Sequence, residues 1–171
     1  MKKRILSVIL TAALVCGAAS CNGNQPASTT AANTTAAAKP AANVSAADIT
    51  KAVLDAVPIN SAFEKNKESL EDYFDDLDAS AITDSSYYIC ASGAYPDEIA
   101  AFRFDSETSA KAAVSAVEGR LEYQKSTYKD YTPEEYYKLE DAVIEQAGEW
   151  LIYLVTSDNT KAKEIALGKL G

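Results

Sequence analysis

The chain has 171 residues, enough for one domain with a core of its own. Its 25 acidic and 16 basic residues give a net charge of −9, and no basic run offsets it, which excludes nucleic acid as an expected partner. It contains no histidine, so the commonest general base and zinc ligand is missing, and a Ser-His-Asp or Cys-His arrangement cannot form within it.

Lys2-Lys3-Arg4 is a basic n-region, and the apolar run Ile5–Val15 follows it. A run of 11 residues is too short for a hydrocarbon core, which needs about 20, and fits a signal peptide over residues 1–20. Losing those three cations takes the charge from −9 to −12. Gly17-Ala18-Ala19-Ser20 stands directly before Cys21, and small residues before a cysteine resemble a bacterial lipobox. There the sulfur takes a diacylglycerol and the chain is cut just before it. Ala18 departs from the pattern, since leucine is usual at that position; Cys16 fits less well because Val15 precedes it. The expectation is a lipoprotein anchored through Cys21 on the outer face of the cytoplasmic membrane. Ordinary cleavage nearby, giving a secreted protein, is the alternative. With Cys21 lipidated, Cys90 has no intramolecular partner and reads as a small hydrophobe in an apolar strand. The cysteines match no zinc spacing, and no metal, cofactor or catalytic residue is expected.

Residues 21–47 read as a tether of Ala, Thr, Asn and Ser with Pro26, Pro40 and one charge, Lys39. One large aliphatic residue, Val44, buries too little surface to offset the entropy of ordering. Such a segment reaches about 25–30 Å on average and near 90 Å fully extended.

From Asp48 onward the patterns are those of a folded domain. Ala46-Ala47-Asp48-Ile49 begins a helix capped by Ser45 or Asp48, with Ile49, Val53, Ala56 and Val57 on one face and Pro58 ending it. A second helical piece covers Lys67–Phe74, with Leu70, Tyr73, Phe74 and Leu77 inward. Glu71–Asp78 concentrates five carboxylates. The EF-hand calcium pattern fails there, because Ala81 and Tyr87 stand where its glycine and final glutamate belong, so the segment reads as a solvated acidic edge. Ser86–Ser92 and Glu98–Phe104 form a hairpin, with turns at Ser92-Gly93 and Tyr95-Pro96-Asp97.

A long helix, Ser109–Tyr128, follows a cap in Asp105–Thr108. Ala110, Ala113, Val114, Val117, Leu121 and Tyr128 make its apolar stripe. Gln124 falls within that stripe, and Arg120, four residues before it, projects toward the same patch. A polar residue on a core face must find partners. One reading bonds Gln124 to a loop and Arg120 to a carboxylate; the other makes them the polar floor of a ligand groove. Together with Tyr128 and Tyr131 they are the candidate binding patch. Thr132, Pro133 and Glu135 predict a capping box for a short helix. The tyrosines around it serve an interface or loop packing equally well. Ala142–Ala147 and Trp150–Thr156 form a second hairpin whose last strand, apolar on both faces, predicts a central position. Ser157-Asp158-Asn159 caps a final helix, Thr160–Leu170.

Several stretches carry a resemblance: Ser92-Gly93-Ala94, Asp97–Phe102, Arg120, Gln124, Tyr128, Tyr131, Pro133-Glu134-Glu135, Lys138-Leu139 and Asp141–Ile144. The chain from about Asp48 onward resembles a family of small lipoproteins of clostridial-type bacteria whose C-terminal domain has no known function. The resemblance implies an envelope location and an α+β fold, and carries over no activity or catalytic residue. Tyr136-Tyr137 departs from it, being more aromatic than the family.

The expected domain, residues 48–171, is therefore α+β: an antiparallel sheet of about four strands in two hairpins, a long helix, and N- and C-terminal helices. The expected function is a non-enzymatic binding or accessory module of the envelope, its partners the membrane through the anchor and an envelope protein or small ligand. The alternatives are a carboxylate-based hydrolase of envelope or extracellular glycans and a self-associating structural protein.

Overall fold

Ser45 starts the first helix, α1 (Ala46–Ala56). Its hydroxyl accepts from the Asp48 N–H while the Asp48 carboxylate accepts from the Ser45 N–H, a reciprocal cap, and Asp84 accepts the Ala46 N–H from the sheet. The computed structural model describes residues 43–171; the signal-peptide and Cys21 expectations, and the tether up to residue 42, lie outside that range. Strands β1 (Ala62–Lys65), β2 (Ile82–Cys90), β3 (Glu98–Phe104), β4 (Val143–Ala147) and β5 (Trp150–Val155) form one antiparallel sheet in the order β1-β2-β3-β5-β4. The long helix α2 runs Glu107–Tyr131, a one-turn α3 covers Tyr137–Glu140, and α4 covers Asn159–Leu170.

The period-2 alternation of the strands sorts the core into two layers. Tyr87, Ala100, Phe102, Phe104, Leu151, Tyr153 and Val155 face α2, where they meet Ala110, Val117 and Leu121. Ile99, Ala101, Trp150, Ile152 and Leu154 face the other way, toward Ile49 and Val53 of α1 and Ala162, Ala166 and Leu170 of α4. All six residues of β5 are buried, as its two-sided apolar pattern predicts, and it lies between β3 and β4. The domain is α+β, with helices on both faces of the sheet.

The sheet has five strands rather than about four, because β1 adds to the free edge of β2 with Ala62 opposite Cys90 and Lys65 opposite Tyr87. The predicted helix at Lys67–Phe74 is a 3₁₀ turn over Lys67–Asp72, capped by Asn66; it still buries Leu70, with Phe74 and Leu77 following. The capping box at Thr132 does not form: Pro133 opens a 3₁₀ turn, but the Thr132 side chain caps nothing and Glu135 pairs with Lys138 instead. Among the described residues no helix is long and apolar enough to cross a membrane.

Candidate functional site

Three polar side chains one turn apart on α2 run alongside the loop that joins β2 to β3. The i, i+4, i+8 spacing puts Arg120, Gln124 and Tyr128 in one row. The row meets the loop in reverse chain order. Arg120 donates through Nε to both oxygens of Glu98 (3.2 and 3.3 Å), and Nη2 completes a bidentate pair. Gln124 donates to the Pro96 carbonyl at 3.1 Å and accepts from the Tyr153 hydroxyl at 2.6 Å. The Tyr128 hydroxyl donates toward the carbonyls of Tyr95 and Gly93, at 3.0 and 3.1 Å.

Asp97, beside Glu98, is held from a different element. Lys138 of α3 donates to both its oxygens, at 2.8 and 3.0 Å, and lies 2.6 Å from Glu135. The backbone carbonyl of Lys138 accepts from Asn159, whose own oxygen receives Thr156. Two adjacent carboxylates at the head of β3 are thus each matched to a cation, Asp97 to buried Lys138 and Glu98 to half-buried Arg120, and the loop with its junction to β3 is fixed from α2 and α3.

Burial sets the electrostatics. Desolvation raises the pKa of Glu98, whose side chain is 3% exposed, against the lowering pull of Arg120. Burial also works against the Arg120 charge, but Glu98 outweighs it, so Arg120 stays charged with its pKa raised. Burial raises Asp97 too, opposed by Lys138. For Lys138, burial is outweighed by the hydrogen bonds it donates to Asp97 and Glu135, and its pKa rises. The Tyr87 phenol, buried beside Glu98 without a completed hydrogen bond, is pushed far above its usual range, first by desolvation and then by the Glu98 charge.

Outside this lock, the solvent side of Arg120 floors a groove of about 230 Å³ between α2 and the acidic segment after β1. Asp72, Tyr73, Asp75, Gly119 and Tyr123 line it together with Arg120. The Arg120 guanidinium lies 5.4 Å from the Tyr73 ring centre and 5.7 Å from that of Tyr123. A second cavity, about 220 Å³, has an apolar floor of Phe104, Ala112 and Ala113 near the start of α2, with Asp76 and Asp78 at its edge. Among the described residues no three His, Cys, Asp or Glu side chains gather as a metal ion would require.

Residues 55–157 match a domain of unknown function, DUF4358. The chain belongs to the DUF4358 family. No curated protein matches it, and no solved structure does.

In this DUF4358 domain the four residues of the candidate patch take different places. Arg120 reaches both the interior and the groove. Gln124 is 3% exposed and Tyr128 half-buried, both bonded to the loop rather than to the groove. Tyr131 is 66% exposed, its ring edge-on to Tyr128 with centres 6.4 Å apart. The groove's other residues were not singled out from sequence, although two signals pointed there. Asp72, Tyr73 and Asp75 lie in the run of five carboxylates, and Gly119 interrupts an otherwise strong helix pattern one residue from Arg120.

Proposed function

We propose that this DUF4358 domain is a non-enzymatic binding or accessory module of the bacterial cell envelope, of the clostridial lipoprotein type, held at the outer face of the cytoplasmic membrane by lipid on Cys21. The anchor rests on Lys2-Lys3-Arg4, the short apolar run and the small residues before Cys21. The observation that carries the binding role is the Arg120 groove: an open concavity lined by two aromatic side chains, with a cation fixed at its base. The face from this groove to Tyr131, including the Gln124 and Tyr128 supports, is the recognition surface.

A carboxylate-based hydrolase would need a carboxyl of raised pKa in a cleft. Asp97 and Glu98 have raised values, but each is paired with a cation in the interior, which favours binding over catalysis.

Fractionating cells that make the intact chain tests the anchor: Cys21→Ala should move the protein from the membrane fraction to the medium, and retention on the membrane would overturn it. Cross-linking in those cells tests the module. A partner captured by the native chain and lost with Tyr123→Ala supports it; no capture with short or long cross-linkers, together with no binding of soluble envelope fragments or small solutes by the intact chain, refutes it.

A further inference from the structure

We infer that the Arg120 groove, on the reading of this domain as a binding module, takes a single neutral pyranose unit of a polysaccharide. The groove sets three demands at once. Arg120 commits Nε and Nη2 to Glu98, and among the described residues its Nη1 has no protein partner, so it asks for an acceptor. Asp72 and Asp75 form no ion pair among the described residues and ask for donors. Tyr123, 64% exposed, offers an apolar ring surface, whereas the Tyr73 ring already has the Arg120 guanidinium and the Lys65 ammonium over it, at 5.4 and 4.7 Å from its centre. An anion meets the two aspartates; a cation meets Arg120, which already lies over both rings. A sugar ring satisfies all three: its hydroxyls donate to carboxylates and accept from a guanidinium, and its C–H face stacks on a phenol. At about 230 Å³ the space falls below the roughly 300–1,000 Å³ of drug-sized sites and suits one small ring with the rest of a chain running outside.

Gly119 is the independent observation. It sits in the middle of a 25-residue helix, where glycine is unfavourable, and no atom lies within 4 Å of where its Cβ would stand. Packing therefore does not require glycine there. Gly119 lines the groove, so a long side chain placed there would occupy it.

The test is isothermal titration calorimetry of the full-length chain in detergent micelles against two probes, a β-1,4-linked N-acetylglucosamine tetrasaccharide and a β-1,4-linked glucose tetrasaccharide. Lysine and glutamate amides with acetylated N-termini serve as charged controls. Saturable binding of either sugar is expected, weakened about tenfold by Tyr123→Ala through loss of one stacking face. Gly119→Leu, which fills the groove while favouring the helix, should abolish it, and Tyr137→Ala, exposed on α3 and outside the groove and the recognition surface, should leave it unchanged. No sugar binding, sugar binding that survives Gly119→Leu, or binding of a charged amide in its place overturns the inference. If sugars fail but cross-linking in cells still captures a partner that Gly119→Leu loses, the binding module stands and its ligand is of another class. Turnover of a bound tetrasaccharide would keep the sugar site and overturn the non-enzymatic reading.

Discussion

Arg120→Met is the sharpest perturbation of this fold, because it removes a charge without much volume and leaves the Glu98 carboxylate with no cation and only the Tyr87 phenol beside it. The Glu98 side chain is 3% exposed and that of Arg120 16%, so water can replace little of the lost pairing. Breaking one side of a buried pair costs about 3–5 kcal/mol, a large share of the roughly 5–15 kcal/mol that holds a domain together. With a slope of about 2 kcal/mol per molar urea, the unfolding midpoint should fall by about 2 M at pH 7. The double variant Glu98→Leu/Arg120→Met should recover most of that loss, since a buried pair replaced by apolar residues is close to neutral. The pH dependence gives a second check. Without Arg120 the folded-state pKa of Glu98 rises further above its unfolded value near 4.5, so the folded state holds more protons between the two. Stability of the single variant therefore falls as pH rises through that window and recovers as pH drops toward 5. A loss below about 1 kcal/mol, as for a surface pair, would refute the burial argument, as would a deficit that does not change with pH.

Gly119→Ala should raise stability by about 1 kcal/mol, read as an increase of a few degrees in Tm, because the site is open and alanine favours the helix. Gln124→Leu strands the Tyr153 hydroxyl and the Pro96 carbonyl and should cost about 1–3 kcal/mol in urea unfolding; a neutral result would show that water replaces both bonds. Ser45→Ala removes a helix cap and should cost about 1 kcal/mol at pH 7. Hydrogen bonds from Ser45 lower the Asp48 pKa below 3.8, so the Asp48 contribution is present above that value and disappears as pH falls through the folded pKa. The gap between wild type and Ser45→Ala should then narrow at strongly acidic pH without closing, since the bond from the Asp48 N–H to the Ser45 hydroxyl does not titrate, which unfolding curves measured from pH 7 to 2 would check.

What the sequence made legible follows from periodicity. The stripe Ala110–Leu121 and the two-faced apolar strand at Trp150 are signals that local geometry amplifies, and both elements form where their patterns lie. Strand β1 carries no such signal: Ala62-Phe63-Glu64-Lys65 has one large apolar residue, and Phe63 is 54% exposed. It is a strand because the free edge of β2 offers it backbone partners. The first half of β2 was hidden for a related reason, since Ile82-Thr83-Asp84-Ser85 is polar and its alternation is broken by a register shift between Ile82 and Asp84. In the site, Gln124 was legible as a polar residue on an apolar face. Its partners, Pro96 and Tyr153, lie 28 and 29 residues away on opposite sides in sequence, and no local pattern names them. The groove joins the acidic segment to α2 across the sheet's edge, a juxtaposition that only the packed fold supplies.

The residues that carry the family resemblance and those that line the groove are largely different sets, with different consequences. Asp97, Glu98, Gln124 and Lys138 lie inside, and with Arg120 and Tyr128 they fix the β2–β3 loop to α2 and α3. Their partnership demands particular residue types, because an unpaired charge or amide in that interior is costly. Asp72, Asp75, Gly119 and Tyr123 are under no comparable demand: Tyr123 is 64% exposed and Gly119 touches nothing, whereas Tyr73 also packs edge-on against Tyr87 of the core. A DUF4358 domain that keeps the interior set should therefore keep this fold whatever stands at positions 72, 75, 119 and 123, and, on the proposed binding role, its ligand should follow those positions. Arg120 alone belongs to both sets, with Nε and Nη2 turned to Glu98 and Nη1 left over. Substituting it disturbs fold and recognition together, whereas Gly119 and Tyr123 separate the two, which is why they carry the binding test.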